Sequence, residues 1–145
     1  MAGYQQYFTQ GRVTLYVGAD YNDYKLNKND TNNRVSGGKS GAKTQIELFL
    51  TPTENIVVSN ISNYTSAYNA YWSQTYVGWN FGKFTFGPEM ALLGNRSFKQ
   101  HRFGGNFSNI NIGFAKLYFA AGYLKSSGFA GDDGAYTSVG FSKIF

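Results

Sequence analysis

The sequence predicts an all-β fold, an antiparallel up-and-down β-barrel that occupies residues 1–145 as a single domain. Composition, alternating hydrophobicity and the lengths of the connections lead to this prediction. Aromatic residues make up 19% of the chain, which contains 18 glycines and only 2 prolines. This composition is typical of short strands and tight turns rather than helices. No apolar run approaches the roughly 20 residues of a membrane-spanning helix.

A hairpin over residues 71–93 carries the clearest strand pattern. Its apolar face has Thr75, Val77, Trp79, Phe81, Phe84, Phe86, Met90 and Leu92. The opposite face has Gln74, Tyr76, Gly78, Asn80, Thr85, Gly87, Glu89 and Ala91. Gly82 and Lys83 turn the chain between the two arms. In a soluble sandwich the polar face would meet water, whereas in a membrane barrel it would line the interior.

Six other segments alternate in the same way and bring the predicted number of strands to eight. These segments are Gly11–Tyr24, Ala42–Leu50, Ile56–Tyr64, Gln100–Asn109, Lys116–Leu124 and Ala135–Phe145. The facing of the third predicted strand stays open, because Val57 and Ile61 compete with Ile56, Val58 and Tyr64. Ten strands are the alternative if Tyr4–Phe8 and the region Ile56–Asn69 are divided differently.

The connections alternate between longer or more polar loops and short turns. Outer-membrane barrels have this organisation, with long extracellular loops, short periplasmic turns and an even number of strands. A terminal aromatic residue such as Phe145 is also usual in them and is thought to be read by the insertion machinery. Residues 1–6 lack the features of a signal peptide, which indicates either a cytosolic protein or a signal already removed. We favour the bacterial outer membrane.

Five charged residues fall on the polar faces of the predicted strands, among tyrosines and glycines: Asp20, Glu47, Glu89, Arg102 and Lys116. Inside a narrow barrel, acids and bases would pair because buried charges need compensation. We therefore predict a structural ion-pair network in the lumen, centred on Glu89. The alternative is that two of the three acids form the carboxylate pair of a glycoside hydrolase.

His101 is the only histidine in the chain and is therefore the only candidate for an imidazole general base. Together with Ser97 or Ser108 it would suit an outer-membrane lipid-modifying hydrolase. Alternation, however, places His101 on the face of Phe103 and Phe107, toward lipid. We expect a non-enzymatic protein without a cofactor or metal, since turn chemistry accounts for Asp132 and Asp133.

Aromatic residues gather near both predicted rims of the barrel. Tyr64, Tyr68, Tyr71 and Trp72 lie on the long-loop side, and Trp79, Phe81, Phe84 and Phe145 lie at the opposite rim. We interpret them as interfacial girdles, with a glycan-binding platform as the alternative for the first group.

The formal net charge is +5. Expected partners are outer-membrane lipid and lipopolysaccharide phosphates, but not nucleic acid, and the protein is expected to be a monomer.

Several segments resemble the BcsS family of cellulose-biosynthesis-associated proteins. They are residues 11–24, 66–82, 86–95, 100–104, 114–123 and 131–145, and the most recognisable is Gly87-Pro88-Glu89. The resemblance implies an outer-membrane β-barrel linked to exopolysaccharide production, with exopolysaccharide as a further partner, and it corresponds to the C-terminal part of the family. Family members have a signal peptide and further strands before the region that matches Gly11. Pro88 has no amide proton, which predicts a local bulge or a break in strand pairing.

The sequence thus favours a barrel with a narrow or side-chain-filled lumen that is accessory to cellulose export or surface attachment. Eight strands leave no room for a polysaccharide to pass. The alternatives from other classes are the lipid-modifying hydrolase that uses His101 and a soluble, lipocalin-like barrel. The lipocalin alternative would place apolar residues inside.

Overall fold

The computed structural model describes residues 1–24, 37–128 and 132–143, and these fold into one nine-stranded sheet. The strands are β1 (Ala2–Phe8), β2 (Gly11–Tyr24), β3 (Gly37–Thr53), β4 (Ile56–Thr65), β5 (Ala70–Asn80), β6 (Thr85–Gly94), β7 (Phe98–Asn111), β8 (Ala115–Gly128) and β9 (Gly134–Lys143). A single 3-10 turn, Ala67–Asn69, precedes β5. No helix in the described ranges is long and apolar enough to cross a membrane.

Each strand pairs with its sequence neighbours in antiparallel fashion, in the order β1 to β9. The predicted all-β, up-and-down topology is therefore confirmed, but the prediction of eight strands is wrong. The additional strand is β1, which pairs with β2 from Ala2 opposite Val17 to Phe8 opposite Gly11. Its sequence, AGYQQYF, has glutamines on both faces, so hydrophobic alternation marks it poorly.

The two edges of the sheet are β1 and β9. All neighbouring strands are antiparallel and nine is an odd number, so β1 and β9 run in the same direction. Direct pairing between them would therefore be parallel. Among the described residues, no strand pairing joins β1 to β9.

At one end of the sheet, named here the short-turn end, the four connections have two to four residues each. They are Thr9–Gln10, Glu54–Asn55, Phe81–Phe84 and Ile112–Phe114. The opposite end, the loop end, has the connections 25–36, 66–69, 95–97 and 129–133. The sequence predicts a long loop between the strands Gly11–Tyr24 and Ala42–Leu50, but part of it belongs to β3, which begins at Gly37 and pairs there with Tyr24. The rest of that loop, 25–36, lies outside the described residues.

The most buried side chains on this sheet are polar or small. Glu89 is 4% exposed and Ala120 is 1% exposed, whereas Phe103 is 67% and Phe141 is 77% exposed. We call the face that contains Glu89 the buried face and the face that contains Phe103 the exposed face. This distribution is the reverse of that in a soluble sheet, in which the apolar face is covered.

Curvature explains how one face of a single sheet becomes buried. In a flat sheet, β6 and β9 would be about 14 Å apart, because adjacent strands are separated by about 4.8 Å. Tyr136 of β9 nevertheless interacts with Glu89 of β6, and Ser108 of β7 donates a hydrogen bond of 3.3 Å to Tyr76 of β5. The buried face is thus concave, and its side chains cover one another.

Strand β4 departs from the general pattern and settles the facing that the sequence left open. Tyr64 lies on the exposed face with Asn60 and Ser62, while Ile61 points to the buried face and is still 38% exposed. The polar residues on the exposed face bond to β5. Asn60 Nδ2 donates to Thr75 Oγ1 at 2.9 Å, and the hydroxyls of Ser62 and Ser73 are 2.7 Å apart.

Candidate functional site

A row of five residues crosses the buried face from β5 to β9. Directly opposed residues on adjacent strands are, in order, Tyr76, Glu89, Gly104, Gly122 and Tyr136. The row therefore has a carboxylate near its middle, two glycines beside it and a tyrosine at each end. We call it the Glu89 row.

Glu89 is held by a buried amide. Asn106 Nδ2 donates a hydrogen bond of 2.5 Å to Glu89 Oε2. Both side chains are buried, at 4% exposure for Glu89 and 7% for Asn106. Because Asn106 pairs with Gly87 rather than with Glu89, the bond runs diagonally between β6 and β7. A Cβ atom at position 87 would meet the Val77 carbonyl oxygen, so a larger residue there would disturb the neighbouring β5 strand.

Tyr136 closes the other end of the row by lying across the glycines. A Cβ atom on Gly104 would be 2.6 Å from Tyr136 Oη, so the absence of a side chain allows the ring to extend toward Glu89. The Arg102 guanidinium carbon is 5.6 Å from the centre of the same ring. Tyr136 therefore interacts with both the acid and the base. Within the described part of the chain, Tyr136 Oη and Asn106 Oδ1 are buried and have no hydrogen-bond partner.

Opposition of tyrosine and glycine recurs on this face. Tyr16 is opposite Gly3, and Tyr118 is opposite Gly140. A Cβ atom on either glycine would collide with the ring of the opposing tyrosine. The tyrosine rings thus lie over the glycines of the neighbouring strands on the concave side.

The other charged residues predicted for the lumen network have local amide partners. Asp20 Oδ2 accepts from Asn22 at 2.6 Å, Glu47 Oε1 accepts from Gln45 at 2.6 Å, and Arg102 Nε donates to Gln100 at 2.8 Å. Lys116 is exposed and lies at the short-turn end. The structure therefore brings Glu89 and Arg102 together through Tyr136, but leaves Asp20, Glu47 and Lys116 apart from them.

Most of the predicted girdle residues that the structure describes are at least partly exposed. Trp79 is 47% and Phe81 is 61% exposed, and the rings of Phe81 and Phe84 stack with centroids 5.2 Å apart. At the loop end Tyr64 is 45% exposed, and Tyr71 is its direct partner on β5. Phe145 lies outside the described residues.

Two aromatic residues depart from the girdle pattern. Tyr68 is only 5% exposed, and its hydroxyl donates to the Gly37 carbonyl at 2.6 Å. It has a positive φ of 60° at the 3-10 turn, which directs the ring inward. Trp72 is directly opposite Asn63 on β4, and alternation along β5 places it on the buried face with Gln74 and Tyr76. The alternation at Trp72 is visible in the sequence, but the inward turn at Tyr68 is not.

His101 does not meet either candidate serine in a catalytic arrangement. It is exposed, and its direct partners are Leu92 and Lys125. Ser108 lies on the buried face and bonds to Tyr76, while Ser97 is in the β6–β7 connection. In the described ranges no three His, Cys, Asp or Glu residues cluster so as to hold a metal ion.

Sequence reasoning selected Glu89 but did not group it with Asn106, Tyr136 and Tyr76. Alternation along each strand assigns all four residues to the polar face, and this assignment is the only sequence signal for them. Their grouping depends on the registers of four strand pairs, and alternation within one strand does not specify those registers.

Fold and site together define a class: an antiparallel β-meander with a concave, polar buried face and an apolar, aromatic exposed face. The chain belongs to the family of the cellulose biosynthesis protein BcsS, whose family model matches residues 1–145. The resemblance noted in the sequence is thereby confirmed. Comparisons with curated proteins and with solved structures found no significant match.

Proposed function

We propose that this chain forms an outer-membrane β-barrel with a side-chain-filled lumen and serves as a non-enzymatic accessory in cellulose export or surface attachment. One observation carries the proposal, namely the reversed distribution of polar and apolar residues. Phe103, Phe141 and Val139 are 67%, 77% and 71% exposed, while Glu89 is 4% exposed. Lipid would cover the exposed face and make this distribution favourable.

Strand lengths and aromatic positions support a membrane location. A tilted transmembrane strand needs about 9–11 residues, and β2 to β9 contain between 10 and 17 residues each. On the exposed face, Trp79, Phe86, Phe107 and Phe119 are direct partners on successive strands. Such a band resembles the aromatic girdles of outer-membrane barrels.

The polar residues on the exposed face of β4 and β5 are compatible with this environment. Asn60, Ser62, Ser73 and Thr75 bond to one another, with distances of 2.7 to 3.4 Å. Mutual hydrogen bonding lowers the cost of moving polar groups out of water. A lipocalin-like barrel is less consistent with the structure, because it would place the aromatic face inside.

The filled concave face argues for an accessory role rather than passage of a polymer. Tyr136 extends over two neighbouring strands to Glu89, and Tyr16 and Tyr118 cover glycines elsewhere. A narrow barrel filled in this way has no continuous pore for a glycan chain. The family match supports the association with cellulose biosynthesis. We assign no reaction, since the direct partners of His101 are Leu92 and Lys125 and neither candidate serine lies beside it.

A bilayer also requires that the backbone groups of β1 and β9 be paired. The proposal is tested by refolding the full chain into detergent micelles and lipid vesicles and comparing its gel mobility with and without boiling. Amide hydrogen exchange would then be measured in β1 and β9. We expect a heat-dependent mobility shift and slow exchange in both edge strands. A stable, monomeric protein in plain buffer would contradict the proposal.

A further inference from the structure

A cavity of about 800 Å³ opens at the short-turn end of the sheet. It lies between the β5–β6 turn and the end of the β7–β8 hairpin. Its lining residues are Gly82, Lys83, Phe84, Phe107, Asn109, Ile110, Asn111 and Lys116. We call it the rim pocket. It is separate from the Glu89 row and contains none of its residues.

Unequal strand ends create the rim pocket. Strand β6 begins at Thr85, which pairs with Ser108, but β7 continues to Asn111. The last residues of β7 therefore extend beyond β6. A register shift between Phe107 and Ile110, with a positive φ of 60° at Asn109, bends β7 at this point. The result is a notch between the shorter strand β6 and the longer strand β7.

The notch combines positive charge, amides and an apolar surface. Lys83 is in the turn on one side, and Lys116 pairs with Asn111 on the other. Both lysines are exposed. The rings of Phe84 and Phe107 form the apolar part, with centroids 5.6 Å apart. Asn111 Oδ1 accepts from the Gly113 amide at 2.8 Å, so its Nδ2 group is the free donor of that side chain.

The aromatic part of the pocket continues onto the exposed face of the sheet. Phe107 contacts Phe86, with ring centroids 4.5 Å apart, and these residues are 39% and 41% exposed. An apolar chain that leaves the pocket along Phe107 would therefore remain on aromatic surface. A small soluble anion would use the lysines but would gain nothing from this surface.

We infer that the rim pocket binds an anionic glycerophospholipid, with its phosphate between Lys83 and Lys116 and an acyl chain along Phe107 and Phe86. This inference rests on the proposed membrane location. In outer-membrane barrels the short turns face the periplasm, so the lipid would belong to the periplasmic leaflet. Positive charge on the two lysines complements the phosphate, while the phenylalanines match the hydrocarbon.

The test uses the full chain refolded in a neutral detergent and probes it with phosphatidylglycerol, phosphatidylcholine or inorganic phosphate. Native mass spectrometry counts the lipid that stays bound. The Lys83→Gln/Lys116→Gln variant removes both cations, and a Lys99→Gln/Lys125→Gln variant removes the same charge at the loop end. We expect the first variant to lose about 30-fold in phosphatidylglycerol affinity, since each lysine contributes about 1 kcal/mol.

The control variant is expected to retain the affinity of the unmodified chain, and inorganic phosphate is expected to compete weakly. Equal retention of phosphatidylglycerol and phosphatidylcholine would overturn the inference. Equal loss in both variants would also overturn it, because the effect would then reflect net charge. The gel-mobility shift is recorded on the same samples. A folded chain without lipid preference defeats the inference alone, whereas a chain that never folds in detergent defeats the proposed function as well.

Discussion

Asn106 donates a hydrogen bond of 2.5 Å to the carboxylate of Glu89 across the β6–β7 pair, at a site where both side chains are more than nine-tenths buried. An amide and an acid thus meet where a soluble sheet would have aliphatic residues. Burial of such a pair is costly unless it is hydrogen-bonded, which ties the stability of β6 and β7 to this contact.

Removal of the Glu89 carboxylate should destabilise the protein. Glu89→Ala leaves the Asn106 amide buried without its partner, and we expect a loss of about 1–3 kcal/mol in the free energy of unfolding. Glu89→Gln keeps a hydrogen-bonding group of the same length and should lose less. Urea unfolding in detergent measures both variants, with Glu54→Gln in the exposed β3–β4 turn as control. A Glu89→Ala variant as stable as the control would show that this bond contributes nothing.

An added methyl group at Gly104 should disturb the packing of Tyr136. The Cβ atom of Gly104→Ala would be 2.6 Å from Tyr136 Oη and closer still to the Ala121 carbonyl oxygen. We expect a destabilisation of about 1–3 kcal/mol, typical of overpacking. Gly134→Ala is the matched control, because a Cβ atom there meets nothing within 4 Å. Thermal unfolding in detergent measures the midpoint temperature of both variants, and equal midpoints for Gly104→Ala and Gly134→Ala would contradict this prediction.

A charge on the exposed face should impair membrane insertion. Val77→Asp and Phe119→Asp each place a carboxylate where lipid is proposed to lie, so the cost of insertion rises. The fraction of heat-modifiable protein in lipid vesicles is the measurement, and we expect it to fall sharply for both. Asn55→Asp, in the short β3–β4 turn, adds the same charge outside the hydrocarbon. Insertion of Val77→Asp at the level of that control would argue against lipid contact at β5.

The proposed barrel with a filled lumen predicts low conductance. In planar bilayers the unmodified chain should show no steady large conductance, because Tyr136, Tyr118 and Tyr16 cover the concave face. Tyr136→Gly removes the ring that extends to Glu89 and should raise the conductance. Tyr21→Gly removes a tyrosine from the exposed face, where the side chain is 67% exposed, and should have no effect. Large, steady currents from the unmodified chain would rule out a closed lumen.

Hydrophobic alternation predicted the faces of several strands but not the number of strands. In the hairpin, Tyr76 and Glu89 are buried while Trp79 and Phe86 are exposed, as the pattern indicates for the barrel alternative. The break predicted at Pro88 is confirmed, since pairing between β5 and β6 stops after Glu89 and resumes at Phe86 in the same register. The eight-strand prediction omits β1, because glutamines occupy both of its faces and hydrophobic alternation marks it poorly.

Residue spacing within one strand carries no information about contacts between distant strands. By alternation, Lys116 belongs to the same polar face as Arg102. It nevertheless lies at the rim pocket, because it is near the end of β8 and β7 bends beside it. Similarly, Asp20 and Glu47 are assigned by alternation to the same polar face as Glu89, but their carboxylates accept hydrogen bonds from amides on their own strands.

By itself, the sequence determined the all-β class, the two-faced strands and the family, because side-chain alternation and local motifs are properties of contiguous residues. Only the tertiary structure decided that nine strands pair in one curved sheet and that Glu89, Asn106, Arg102 and Tyr136 gather on its concave side. The physical reason is register: cross-strand neighbours are set by turns, bulges and curvature, which bring together residues as far apart in sequence as Glu89 and Tyr136.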